Sequence, residues 1–222
     1  MYCAIIGDII ESRAMQDRSA VQIVIKEILE EVNEEFKSEI ASRFTITLGD
    51  EFQGLLKSSK HVMGIIDRIK IKFHPNKLRF GVGFGEMYTE IIADLAIGSD
   101  GPAYYAARKA VEDIKKSNKR YEQPDQDIQV YNYEVKDSYK FDLLNTSLSL
   151  CTLIEKGWTD KQREVITHLL LNDKSQREIA NAIGLKQSSV QRRLTTGGYF
   201  TYRKAKDNIQ SFMDEIWEEL NA

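Results

Sequence analysis

A chain of 222 residues with a net charge of −3, 42% hydrophobic and 29% charged, has room for one large domain or two ordinary ones and is too apolar to default to disorder. Its longest apolar run falls far short of a membrane span, and its first residues lack the basic-then-apolar pattern of a secretory leader, so the expectation is a cytoplasmic protein with no membrane partner. The small net charge hides a polarity: residues 159–206 hold ten Lys or Arg against four Asp or Glu, and residues 207–222 hold five acids and no base. A basic segment of domain size in an acidic chain points to a polyanion partner. Cys3 and Cys151 lie in apolar segments and read as small buried hydrophobes, while His61, His74 and His168 show no zinc-ligand spacing.

In chain order, Tyr2–Ile10 reads as a buried strand. Val21, Val24, Ile25, Ile28, Leu29, Val32 and Phe36 then recur at helical spacing to about residue 37. Phe44–Leu48 and Phe52–Leu56 read as strands joined tightly at Gly49-Asp50-Glu51. A helix over roughly 59–73, a strand from Leu78 to about Thr89, a helix from Pro102 to about Ser117 and a strand at Ile128–Tyr133 follow, with Asn118–Gln126 a polar loop holding Pro124. This β-α-β-β-α-β order predicts an α+β protein with a ferredoxin-like domain over residues 1–135, extended by one helix and strand. Residues 136–158 read as a helical connector.

The C-terminal domain, 159–222, is predicted to be all α. Thr159-Asp160-Lys161-Gln162 and Ser175-Gln176-Arg177-Glu178 have the form of capping boxes. Gly184 suits the left-handed stop of the second helix, and Gln187–Leu194 forms a third. Two short helices about a glycine turn make a helix-turn-helix signature, with Ile179, Ala180, Ile183, Leu185, Val190 and Leu194 inward. Lys186, Gln187, Ser188, Ser189, Arg192 and Arg193 would face duplex DNA, being types that contact phosphates and base edges. The pattern over 159–196 resembles the domain-4 helix-turn-helix of sigma factors and related transcription regulators. The last helix carries Ile209, Phe212, Met213, Ile216, Trp217 and Leu220 as one apolar stripe, equally suited to packing within the chain or to forming a homodimer.

Two strand ends carry acids where a strand would bury: Asp8 after Ala4-Ile5-Ile6, and Asp50 and Glu51 at the hairpin turn. Such carboxylates are costly unless solvated, paired or bound to a cation, and could hold Mg2+ or Mn2+ beside a nucleoside triphosphate. Ser12, Arg13 and Arg18 follow Asp8 as candidate phosphate contacts or as structural partners. Gly81 and Gly83 leave one strand face bare for a close helix or a ligand. Asp100 lies in the turn before the helix that bears Arg108, a candidate for developing phosphoryl charge.

Asp8, Asp50, the glycine strand and Ala106-Ala107-Arg108 resemble class III nucleotide cyclases and, more distantly, diguanylate cyclases. That resemblance implies a cyclase or palm-type fold, metal on the two strand-end acids and a transition-state role for Arg108. Tyr104 stands where those enzymes have Asn, and Ile46 where they have a base-selecting Lys. Over almost the whole chain, Gly7-Asp8-Ile9-Ile10-Glu11-Ser12-Arg13, Gly49-Asp50-Glu51-Phe52-Gln53, Arg79-Phe80-Gly81-Val82-Gly83 and Gly98–Arg108 resemble the SatD family of bacterial proteins. The resulting expectation is a DNA-binding regulator whose cyclase-like domain binds a metal-nucleotide. The alternative is a metal-dependent nucleotidyl cyclase or other phosphoryl-transfer enzyme with a DNA-binding tail.

Overall fold

The computed structural model describes residues 1–12, 17–121, 126–133, 139–172 and 174–222. Five strands, β1 (Tyr2–Ile9), β2 (Ile40–Leu48), β3 (Glu51–Leu56), β4 (Leu78–Gly85) and β5 (Ile128–Asn132), form one mixed sheet in the order β2-β3-β1-β4-β5. The central β1 runs antiparallel to both β3 and β4, and β5 lies parallel to β4. Eight helices complete the described residues: α1 (Arg18–Glu35), α2 (Val62–Phe73), α3 (Pro102–Tyr121), α4 (Tyr139–Lys156), α5 (Asp160–Leu171), α6 (Gln176–Ala182), α7 (Gln187–Thr196) and α8 (Tyr199–Asn221).

Alternation along the strands divides the residues between two faces. Cys3, Ile5 and Ile9 of β1, with Phe52, Leu56, Phe80, Val82 and Phe84, point to a core closed by α1, α2, α4 and α8. Ala4, Ile6 and Leu55 point the other way, toward Ala103, Tyr104, Ala107 and Val111 of α3. Both cysteines are buried and unpaired by disulfide.

Three boundaries differ from expectation. Strand β2 starts at Ile40, four residues early, held by Asn33 of α1, whose side chain accepts from the Phe44 amide at 2.8 Å and donates to its carbonyl at 3.0 Å. Strand β4 stops at Gly85 rather than near Thr89. Helix α3 runs on to Tyr121, since no proline or glycine interrupts Asn118–Tyr121; Pro124 lies outside the described residues.

Neither edge of the sheet is left bare. At β5, Asn145 of α4 imitates a neighbouring strand, accepting from the Val130 amide at 2.8 Å and donating to its carbonyl at 3.0 Å. At β2, the segment after β4 folds back so that the Arg43 amide donates to Ala93 at 2.9 Å and Ser42 Oγ to Ile92 at 2.6 Å.

Helix α8 begins within the basic segment yet buries its stripe on the sheet side. Ile209, Met213 and Ile216 join the main core, and Trp217 meets Phe84 edge-to-face at 5.9 Å. Ser59 Oγ donates to Asp214 at 2.5 Å, and buried Lys206 pairs with Asp67 of α2 at 2.6 Å. No helix among the described residues is long and apolar enough to cross a membrane.

Candidate functional site

The register of β1 and β3 sets Asp8 opposite Glu51, and that of β1 and β4 sets it opposite Arg79. All three occupy alternate positions on the face that α3 covers. The two carboxylates are 6% and 8% exposed, so each needs a cation. Arg79 Nε lies 3.2 Å from Asp8 Oδ2, an ion pair without hydrogen-bond alignment, and Lys115 Nζ lies 2.8 Å from Oδ1. Arg108 Nη1 reaches Glu51 Oε1 at 3.0 Å and Oε2 at 3.3 Å.

Arg108 and Lys115 are seven residues apart on α3, two turns along one stripe. What brings that stripe over the acids is the glycine face of β4. A Cβ on Gly81 would sit 2.0 Å from the Ala107 carbonyl oxygen, and one on Gly83 would sit 2.2 Å from that of Ala103. Of the two occupants the bare face allows, the helix backbone fills it, and Gly81 and Gly83 act by seating α3.

Asp50 lies just outside this row. Its carboxylate accepts from Ser12 Oγ at 2.7 Å, and its carbonyl accepts from the Ile9 amide at 2.8 Å, stitching the hairpin to the end of β1. Arg18 opens α1 beside the same turn, its Nη2 3.6 Å from where a Gly49 Cβ would lie, and Gln22 donates to the Gly49 carbonyl at 2.7 Å. Asp100 instead braces the loop before α3, accepting from Tyr105 OH at 2.6 Å. Arg13 lies outside the described residues.

Arg79 and Lys115 are the members of this cluster that sequence reasoning missed. Arg79 shares the alternation of Gly81 and Gly83, and Lys115 the helical period of Arg108, so both signals are present in the chain. Tyr104, one turn before Arg108, is buried in the α3 core with no partner for its hydroxyl among the described residues, and burial raises its pKa.

As donors, these acids offer hard oxygens of the kind Mg2+ and Mn2+ take. Among the described residues no group of three His, Cys, Asp or Glu comes together as a ready metal cage. Asp8 and Glu51 are each already paired with side-chain cations, Asp8 with Arg79 and Lys115 and Glu51 with Arg108. Lys115 and Arg108 are the exposed counterions, their side chains 42% and 48% exposed, while Arg79 is 15% exposed.

In the C-terminal region, α5, α6 and α7 enclose a small core of Val165, Ile166, Ala180, Val190 and Leu194. Both capping boxes form, at Thr159 with Gln162 and at Ser175 with Glu178, and Gly184 adopts φ 67° between α6 and α7. Lys186, Gln187, Ser188 and Arg192 are exposed, and Ser189 is half-buried. Arg193 turns inward to Glu164 at 2.9 Å and the Lys161 carbonyl at 3.2 Å. Of the ten basic residues in 159–206, Arg163, Arg193, Arg203 and Lys206 have partners within the chain; Arg163 donates to the Glu155 carbonyl at 2.8 Å and Arg203 pairs with Asp207 at 2.9 Å.

Residues 2–213 match the model of the SatD family. No curated protein matches the chain.

Proposed function

The chain belongs to the SatD family, and from that premise we propose that it is a DNA-binding regulator in which a cyclase-like, ferredoxin-like sheet domain binds a metal-nucleotide and α6 and α7 act as a helix-turn-helix. The observation that carries the reading is the exposed set Lys186, at the N-cap of α7, with Gln187, Ser188 and Arg192 on α7 itself, standing outside a closed three-helix core while neighbouring Arg193 is tied inward. A helix buried on one side and free on the other, with amide, hydroxyl and guanidinium groups outward, has the shape and chemistry that enter a major groove.

For the sheet domain, the strand order and the α3 seat support the cyclase-like reading. Asp8 and Glu51 would hold Mg2+ or Mn2+, which when bound would supply charge neutralisation to a triphosphate. Arg108 and Lys115 offer a guanidinium and an ammonium for phosphate oxygens, and Arg79 holds Asp8 in place. In the cyclase resemblance Tyr104 and Ile46 take the places of the Asn and the base-selecting Lys, which favours binding over turnover.

Fluorescence anisotropy of a mixed-sequence duplex tests the tail. Affinity falls steeply with salt, with a log–log slope of about −0.9 per phosphate neutralised, and Lys186→Ala with Arg192→Ala weakens it at least ~10-fold. Binding that ignores both salt and the double variant rules the DNA reading out. Thermal shift with each nucleoside triphosphate and Mn2+ tests the sheet site: stabilisation is expected in the native protein and absent in Asp8→Ala. Product formation lost in the same variant would instead establish the enzyme reading.

A further inference from the structure

Helix α4 carries two apolar faces, and the fold of the chain uses one. Phe141, Leu144, Leu148 and Cys151 are buried in the main core. On the opposite side Tyr139, Leu143, Leu150 and Leu153 stand 75%, 61%, 57% and 47% exposed. We infer that this outer face joins two copies of the chain, their α4 helices packed antiparallel about a two-fold axis at Thr146, independently of the nucleotide and DNA readings above.

Spacing identifies the occupant as a helix. Tyr139, Leu143, Thr146, Leu150 and Leu153 are separated by four, three, four and three residues. That alternation keeps one seam turned toward a second helix over successive turns, which a patch made for a sheet or a loop does not require.

Symmetry identifies which helix. The seam is nearly palindromic about Thr146: Tyr139 and Leu153 lie seven residues to either side, and Leu143 and Leu150 lie three and four. An antiparallel copy therefore sets Tyr139 against Leu153 of the second chain and Leu143 against its Leu150. The small, exposed Thr146 falls at the axis, where the two backbones approach most closely. Antiparallel helices also oppose their dipoles, which favours the pair.

Charge and area agree. Beside a two-fold axis a side chain meets its own copy, so a charge there would repel itself. From Leu143 to Ile154 the helix holds no Asp, Glu, Lys or Arg on any face, the depletion expected at the centre of an interface. The four exposed side chains leave on the order of 400 Å² on each copy, and Thr146, Ser147 and Ser149 beside them carry a pair of copies to about 1,000 Å², the lower bound of a specific interface. Helix α8 buries its own apolar stripe in the core and leaves association to α4.

Sedimentation velocity of the full chain across micromolar concentrations tests the interface, and a dimer is expected. Leu143→Glu combined with Leu150→Glu, both at exposed positions, should weaken association at least ~10-fold while far-UV circular dichroism stays that of the native protein. Glu112→Gln, on α3 across the sheet, should leave it within ~2-fold. Thr146→Cys locates the axis: mild oxidation should link two chains through this position, and the native protein, whose Cys3 and Cys151 are buried, should give no such link. Tyr139→Cys should link only to a chain carrying Leu153→Cys. A monomer at every concentration, a dimer indifferent to the two glutamates, equal loss in Glu112→Gln, no link in Thr146→Cys, or self-linking of Tyr139→Cys, which marks a parallel pair, would each overturn the assignment.

Discussion

Gly83 illustrates how one missing atom positions a site. A Cβ there would meet the Ala103 carbonyl oxygen at 2.2 Å and the Ala107 amide nitrogen at 2.3 Å, both helix backbone that cannot rotate away. Gly83→Ala is therefore expected to cost at least ~1–3 kcal/mol in urea denaturation, the usual range for overpacking. It should also lift Arg108 and Lys115 from their acids. His74 offers a test by pH. Burial first, and then the charge of Arg163, lower its pKa, so the unfolded chain takes up a proton more readily than the folded one. Its contribution is neutral above about pH 6.5 and destabilising as pH falls from there through the lowered folded value. Urea midpoints at pH 7.5 and 5.5 should thus converge in His74→Gln relative to the native protein. At this scale the acids of the site were legible because each interrupts an apolar run. Their partners Arg79 and Lys115 were harder to find, because their spacing gives a face and the pairing of that face with Asp8 comes only from the sheet register and the seat of α3.

Among the elements, α4 shows a connector taking the place of a strand. Asn145 satisfies both backbone groups of Val130 at the edge of the sheet, and its neighbours Leu144, Leu148 and Cys151 are buried in the main core. Asn145→Ala leaves a donor and an acceptor without partners at a half-covered edge, an expected loss of about 1–3 kcal/mol in denaturant titration. Asn145→Leu should do no better, since shape without hydrogen bonds leaves the same groups unmet. The existence of α1, α2 and α8 was readable from apolar spacing, and both capping boxes from their own residues, because each depends on positions within a turn or two; phase was less secure, since Val24, read into the apolar face of α1, is exposed, as are Leu143, Leu150 and Leu153 of α4. The extent of α3 was not, since polar Asn118–Tyr121 is compatible with either helix or loop. The stripe on α8 was equally visible, but one apolar stripe fits any apolar face, and only the tertiary fold shows it against Phe84, α2 and α4.

For the whole molecule, the consequence is a joint in place of a flexible linker. Helix α8 returns from the basic three-helix region to the sheet core, and Lys70, Glu155 and Tyr202 form a buried polar seam beneath it, the Tyr202 hydroxyl donating to Glu155 at 2.7 Å. The sheet and the three-helix region are joined through α2, which packs against both α5 and α8. Coupling between two sites is a difference in binding free energy, so it can be read directly as a change in affinity. The most direct measurement is duplex DNA affinity by anisotropy, with and without saturating nucleoside triphosphate and Mn2+, in the native protein and in Asp8→Ala. The account predicts that the metal-nucleotide shifts native affinity by ~5-fold or more and leaves Asp8→Ala unmoved; DNA affinity that is the same in all four conditions would contradict it.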